Sequence, residues 1–162
     1  MTNTVNPEVK SAVKPIPDGY HSVTPYLTIR NAAEALDFYK RAFGATEMFR
    51  MADGNGKIGH AEIRIGDSPI MLSDEFPEMS ARSPQAIGGS PVTIHLYVDD
   101  VDAFIQRAVE TGATVVRPVE NHFYGDRGGM LGDPYGHSWW IASHVEDVPV
   151  EEIRKRAAAL YG

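Results

Sequence analysis

The chain is 162 residues long with 43% apolar side chains, which suits one globular domain or two intimately packed halves rather than two independent domains. Fifteen basic against twenty-two acidic residues give a formal charge of −7, which argues against a general nucleic-acid or anionic-membrane surface. There is no cysteine, no run near about 18 apolar residues and no apolar signal core, so disulfides, thiolate chemistry, membrane spanning and export are not expected and a cytoplasmic protein is.

Residues 1–19 carry Pro7, Pro15, Pro17 and Gly19 without a sustained period and read as a flexible N-terminal arm. The alternation V-T-P-Y-L-T-I then predicts a strand over about 22–29. Asn31 with Glu34 resembles a capping box, opening a helix over 31–43 whose stripe is Ala32, Leu36, Tyr39 and Phe43. Gly44 closes it. After a short strand at 47–51, the Asp-Gly and Asn-Gly pairs at 53–56 mark a hairpin. In the strand that follows, 57–65, Ala61, Ile63 and Ile65 fall on one face and His60, Glu62 and Arg64 on the other. Gly66 and Asp67 turn the chain into a last strand at 68–73. The first module therefore reads strand, helix, strand, strand, strand.

Residues 74–91 are rich in Ser, Pro, Gly and charge and read as a link. The plan then repeats. V-T-I-H-L-Y-V matches the first strand, Asp100 is a favoured N-cap, and Val101, Phe104, Ile105 and Ala108 stand at helical spacing up to Thr111. Gly-Ala-Thr ends both helices, at Gly44–Thr46 and at Gly112–Thr114, and the strands are offset by about 69 residues. Segments follow at 114–119, 121–124, 126–130 and 138–143, with a turn at Asp133-Pro134-Tyr135-Gly136 that two further strands flank. Residues 150–160 form a terminal helix with Ile153, Ala157 and Leu160 on one side. The expected organisation is an arm at 1–19, a duplicated domain at 20–148 with modules at about 22–78 and 90–148, and a C-terminal helix at 149–162.

Candidate chemistry sits on the strands. His60 and Glu62, two residues apart on one face, offer general acid-base chemistry, or an exposed pair of local charges; His95 is a third titratable candidate. Arg127, in a turn beside Gly128 and Gly129, offers a site for an anion. The Gly-rich segment 125–132 lacks the Lys-Ser/Thr pattern and following helix of a phosphate loop, and no G-x-S-x-G elbow is present.

The phrases T-P-Y-L-T-I-R-N-A-A-E-A-L-D-F-Y-K-R-A-F-G-A, V-D-D-V-D-A-F and D-P-Y-G-H-S-W-W-I, on this doubled plan, resemble the vicinal oxygen chelate superfamily of glyoxalase I, bleomycin- and fosfomycin-resistance proteins and extradiol dioxygenases, with the nearest likeness to PhnB-like glyoxalase-family proteins. The resemblance implies an α+β fold of two βαβββ modules forming a curved mixed sheet around a cavity, with the first strands side by side and the helices outside, and a homodimer. Metal-dependent members place one ligand on the first and one on the last strand of each module. The matching positions here are Thr24, Met71, Thr93 and Trp140. None is a His, Asp or Glu, so no metal or other cofactor is expected. The implied cavity lining is Thr24, Tyr26, Thr28, Met71, Thr93, His95, Tyr97 and Trp140, with Arg127 beside it, which suits a small planar or partly apolar molecule. Two functions stay open: a metal-independent small-molecule binder, and a divergent glyoxalase-type lyase or isomerase using a rearranged metal site or the acid-base chemistry of His60, Glu62 and His95.

Overall fold

Period-two alternation becomes two four-stranded sheets, seen in a computed structural model that describes residues 12–162. The first module runs β1 (Tyr26–Ile29), α1 (Ala32–Phe43), β2 (Thr46–Ala52), β3 (Ile58–Ile65) and β4 (Ser68–Asp74). The link carries a 3₁₀ turn (Pro77–Met79) and a single-turn helix α2 (Pro84–Ile87). The second module runs β5 (Thr93–Tyr97), α3 (Val101–Thr111), β6 (Thr114–Asn121), β7 (Asp126–Gly132) and β8 (Ser138–His144), and α4 (Val150–Tyr161) ends the chain. Strand orders β1-β4-β3-β2 and β5-β8-β7-β6 repeat one topology, in which the first strand pairs parallel to the last and the others pair antiparallel. This is the expected α+β fold of two βαβββ modules. Register shifts in β2 and again in β6 bend the outer strand of each sheet.

Two finer expectations need correction. The first strand begins at Tyr26, because Pro25 has no N–H to give a ladder, although its carbonyl accepts from Met71 at 3.0 Å. Thr24 therefore lies ahead of the strand. The first strands also do not pair side by side: β1 and β5 are edge strands of separate sheets. The helices lie on the side of each sheet away from its open face, and they also meet each other. Helix α1 buries Ala32, Ala35, Leu36, Phe38, Tyr39, Ala42 and Phe43, a wider surface than one sheet covers, and it packs on α3 as well as on its own sheet. Phe43 meets Phe104 of α3 at 5.3 Å and Trp139 of β8 at 4.8 Å between ring centroids, so a single core runs through both modules.

The start of α1 is also capped from elsewhere in the chain. Asn31 adopts a left-handed conformation, φ 65°, and its side chain caps nothing. Asp74 at the end of β4 does that work: its Oδ1 accepts from the Ala32 amide at 3.0 Å and its Oδ2 from the Ile58 amide at 2.7 Å. At the matching place in the second module, Ser143 of β8 accepts from the Val101 amide at 3.0 Å, and Asp100 accepts from the Ala103 amide at 3.0 Å as a true N-cap. Both helices end at glycines with positive φ, 65° at Gly44 and 129° at Gly112.

The expected arm falls partly on residues 1–11, which lie outside the described residues. From Val13 to Gly19 the side chains are exposed, and Gly19 offers its carbonyl to Arg64 at 3.5 Å. No residue of α4 is fully buried; Arg156 anchors the helix through the Phe123 carbonyl at 3.1 Å and the Glu146 carboxylate at 2.9 Å. Among the described residues, no helix is long and apolar enough to cross a membrane.

Candidate functional site

Each sheet buries one face on the helices and leaves the other open. On the first sheet Leu27, Ile29, Ala61, Ile63 and Leu72 turn inward, so their neighbours Tyr26, Thr28, His60, Glu62, Met71 and Ser73 share the open face. Register sets Tyr26, Met71, Glu62 and Phe49 in one row across four strands. Within this face the Tyr26 hydroxyl lies 2.9 Å from His60 Nδ1, and His60 Nε2 lies 3.0 Å from Glu62 Oε1. In the tautomer with its proton on Nε2, His60 donates to the Glu62 carboxylate and accepts the Tyr26 hydroxyl at Nδ1. Glu62 is only 7% exposed, whereas Tyr26 is 50% exposed. Two hollows flank this chain of bonds. One, of about 480 Å³, is lined by Tyr26, Thr28, Ser73, Phe76 and Met79; the other, of about 430 Å³, by Thr24, Phe49, Glu62, Met71 and the Pro15–Tyr20 stretch.

On the second sheet Leu131, Trp139 and Ile141 turn inward, and Thr93, His95, Tyr97, Gly128, Met130 and Trp140 lie on the open face. His95 and Tyr97 rings are 4.6 Å apart. The Trp140 indole crosses the backbone of Gly128, where an added Cβ would stand 3.0 Å from its Nε1. His122 sits 5.2 Å from Trp140 and stacks on Tyr124 at 5.3 Å and 9°. Tyr97 donates to buried Asp126 at 2.8 Å, and the other Asp126 oxygen faces His144 Nδ1 at 2.7 Å, while Asp147 faces His144 Nε2 at 2.7 Å. With a carboxylate at each ring nitrogen, Asp126 first and Asp147 second, the imidazolium is favoured and the His144 pKa is raised. The bond to Asp126 likewise raises the Tyr97 phenol.

The candidate residues thus divide between two surfaces: Tyr26, Thr28, His60, Glu62 and Met71 on the first sheet, and Thr93, His95, Tyr97 and Trp140 on the second. The hollows beside Tyr26 and Glu62 include neither Tyr97 nor Trp140 in their walls. Arg127 is a correction. Its neighbours Asp126 and Gly128 point to the open face, so Arg127 points to the helix side, where both its forks grip Asp102 of α3 at 2.8 Å. Asn121 takes a third bond at 3.2 Å, so three of the five guanidinium N–H groups are engaged on that side of the sheet. Phe49, His122, Tyr124 and Asp126 join these surfaces without having stood out in the sequence. The alternation of His122 and Tyr124 just before a strand is the signal that could have found two of them.

The positions at which the resemblance expects metal ligands offer two neutral hydroxyls, a thioether and an indole, which do not fit a divalent ion. Among the described residues, no three His, Asp or Glu side chains converge in a way that could hold one.

Comparison with known proteins places this architecture. A protein of Mycobacterium bovis, Mb0911c, is 44% identical over 136 residues, covering 82% of this chain and 90% of its own. The crystal structure of TioX from Micromonospora sp. ML1 superposes with a TM-score of 0.61 at 23% identity, covering 80% of this chain and 100% of its own. The Bacillus cereus PhnB protein, described as a putative 3-demethylubiquinone-9 3-methyltransferase, superposes with a TM-score of 0.58 at 19% identity, covering 76% and 99%. The family model of the Glyoxalase/Bleomycin resistance protein/Dioxygenase superfamily matches residues 19–141. Since that match crosses both βαβββ modules and most of the chain, the protein belongs to the glyoxalase/bleomycin resistance protein/dioxygenase superfamily.

Proposed function

We propose that the protein binds a small, planar or partly apolar molecule on its open sheet faces, in the cytoplasm and without the metal used by other members. The observation that carries this reading is the replacement of the hard donor set by Thr24, Met71, Thr93 and Trp140 on faces otherwise rich in aromatic rings. Flat rings and a few hydroxyls favour a flat ligand through stacking and oriented hydrogen bonds. A homodimer belongs to the same proposal. Tyr26, Phe49, Met51 and Tyr97 are 45–60% exposed on the open faces and β1 and β5 end unpaired, so a second copy can set the first face of one chain against the second face of the other. Mass spectrometry and elemental analysis of protein purified without chelator test the reading together. An organic ligand without stoichiometric metal is the expected result; a stoichiometric divalent metal overturns it. Sedimentation at micromolar concentration checks the dimer, and a monomer alone overturns that part.

One observation favours a second reading, a divergent lyase or isomerase: the contact of His60 with Glu62, a base held by a carboxylate. Catalytic turnover of a bound carbonyl compound, lost in His60→Gln, would establish it.

A further inference from the structure

The Tyr26–His60–Glu62 chain has the order of a base relay: a hydroxyl at the surface, an imidazole behind it, and a carboxylate that fixes the imidazole. Among the described residues, His60 is the sole hydrogen-bond partner of the Glu62 carboxylate, and no Lys or Arg pairs with it. A nearly buried carboxylate with this single partner fixes the orientation of the imidazole and leaves its other nitrogen facing the Tyr26 hydroxyl. Tyr26, at one end of the relay, lines the 480 Å³ hollow, and Glu62, at the other, lines the 430 Å³ hollow. Arg64, the cation on the same strand face, is spent on the carbonyls of Gly19 and Asp67. Lys57 stands 4.1 Å from the centroid of Phe76, a wall of the larger hollow, and holds that ring from behind.

We propose that this hollow takes planar weak acids, phenols or enols, and binds them as oxyanions, with their proton lodged on His60. The proposal rests on the binding reading above and names the chemical class of its ligand. The ligand O–H bond breaks as its proton passes to the phenolic oxygen of Tyr26, and the Tyr26 O–H bond breaks as that proton passes to Nδ1 of His60. Tyr26 is regenerated, the ligand carries the negative charge, and His60 becomes an imidazolium between Tyr26 and the Glu62 carboxylate. No electron changes owner. Tyr26 touches the ligand and His60 stores the proton, while Glu62 is a positioning residue that holds the tautomer and stabilises the imidazolium.

A chromogenic nitrophenol and its methyl ether test this by absorbance titration of the full-length protein below the solution pKa of the phenol. Wild type should shift the bound phenol to its phenolate spectrum and bind it about tenfold more tightly than the ether, the scale of one charge-assisted hydrogen bond. His60→Gln should bind the phenol with a neutral spectrum and no advantage over the ether. Tyr26→Phe, at a half-exposed position that tolerates the loss of a hydroxyl, should lower the phenolate fraction and shrink the phenol's advantage over the ether. If phenol and ether bind wild type equally and the spectrum stays neutral, the relay is wrong and the binding reading stands. If neither binds saturably, both fall.

Discussion

Tyr39 of α1 donates to Asp133 of the β7–β8 turn at 2.5 Å, and this buried bond joins the two modules. The other partners of Asp133 are the Trp139 indole at 2.9 Å and the amides of Tyr135 and His137 at 2.9 and 3.0 Å. Burial first, and the Asp133 carboxylate second, push the Tyr39 phenol well above its ordinary value, which keeps it a donor. Tyr39→Phe should cost about 1–3 kcal/mol, the scale of a buried acceptor left one bond short. Urea unfolding measures it, and Asp133→Ala, which strands four donors, should cost more.

Asp74 should matter more to α1 than Asn31 does. Asp74→Ala removes the acceptor of two buried amides, those of Ala32 and Ile58, and should cost about 1–3 kcal/mol. Asn31→Gly should leave stability unchanged or raise it slightly, because φ 65° suits glycine and the side chain caps nothing. Thermal melts of the two variants separate these outcomes.

Acid should weaken the link before it unfolds the sheets. The Arg30 guanidinium, and then the Ser83 hydroxyl and amide, hold the Glu75 carboxyl at about 2 against an ordinary 4.5. A depressed folded pKa gives stability that is complete above 4.5 and is lost as pH falls toward about 2. Glu75→Gln should flatten the melting temperature across that window. His144 works with the opposite sign: its raised pKa gives stability present below its ordinary value of 6.5 and lost as pH rises through the folded value, so His144→Gln should flatten the neutral-to-basic limb.

Arg127→Ala should leave ligand affinity unchanged, since Asp102 and Asn121 hold its guanidinium on the helix side of the sheet. Calorimetric titration of a bound aromatic checks it. A large loss of affinity would return Arg127 to the ligand surface.

Much of this fold is legible in the sequence because a duplication states its pattern twice. The alternation at 93–97, the Asp100 cap and the Gly-Ala-Thr endings each carry a local physical cause, and those elements stand where the sequence puts them. What escapes a sequence reading is non-local. Asp74 replaces Asn31 as the cap from 42 residues away, and Asp102 claims Arg127 from 25 residues away, distances that periodicity does not see. The shared face of His60 and Glu62 follows from period two, but the Tyr26 hydroxyl on His60 depends on β1 pairing with β4 and β4 with β3. The wide apolar surface of α1 is also in the sequence, at Ala35, Phe38 and Ala42, yet its meaning depends on α3 being there to cover it.

The central claim, a ligand surface organised by aromatic and polar groups rather than by a metal, is tested most directly by the affinity for one planar ligand before and after chelation, in wild type and in Trp140→Ala. Chelation should leave affinity unchanged, and Trp140→Ala, which strips the indole from the second open face that the proposed dimer sets against the first, should weaken it by about 1–3 kcal/mol, the scale of a lost aromatic stacking surface. Binding or activity that vanishes on chelation and returns with a divalent ion, with Trp140→Ala indistinguishable from wild type, would contradict it.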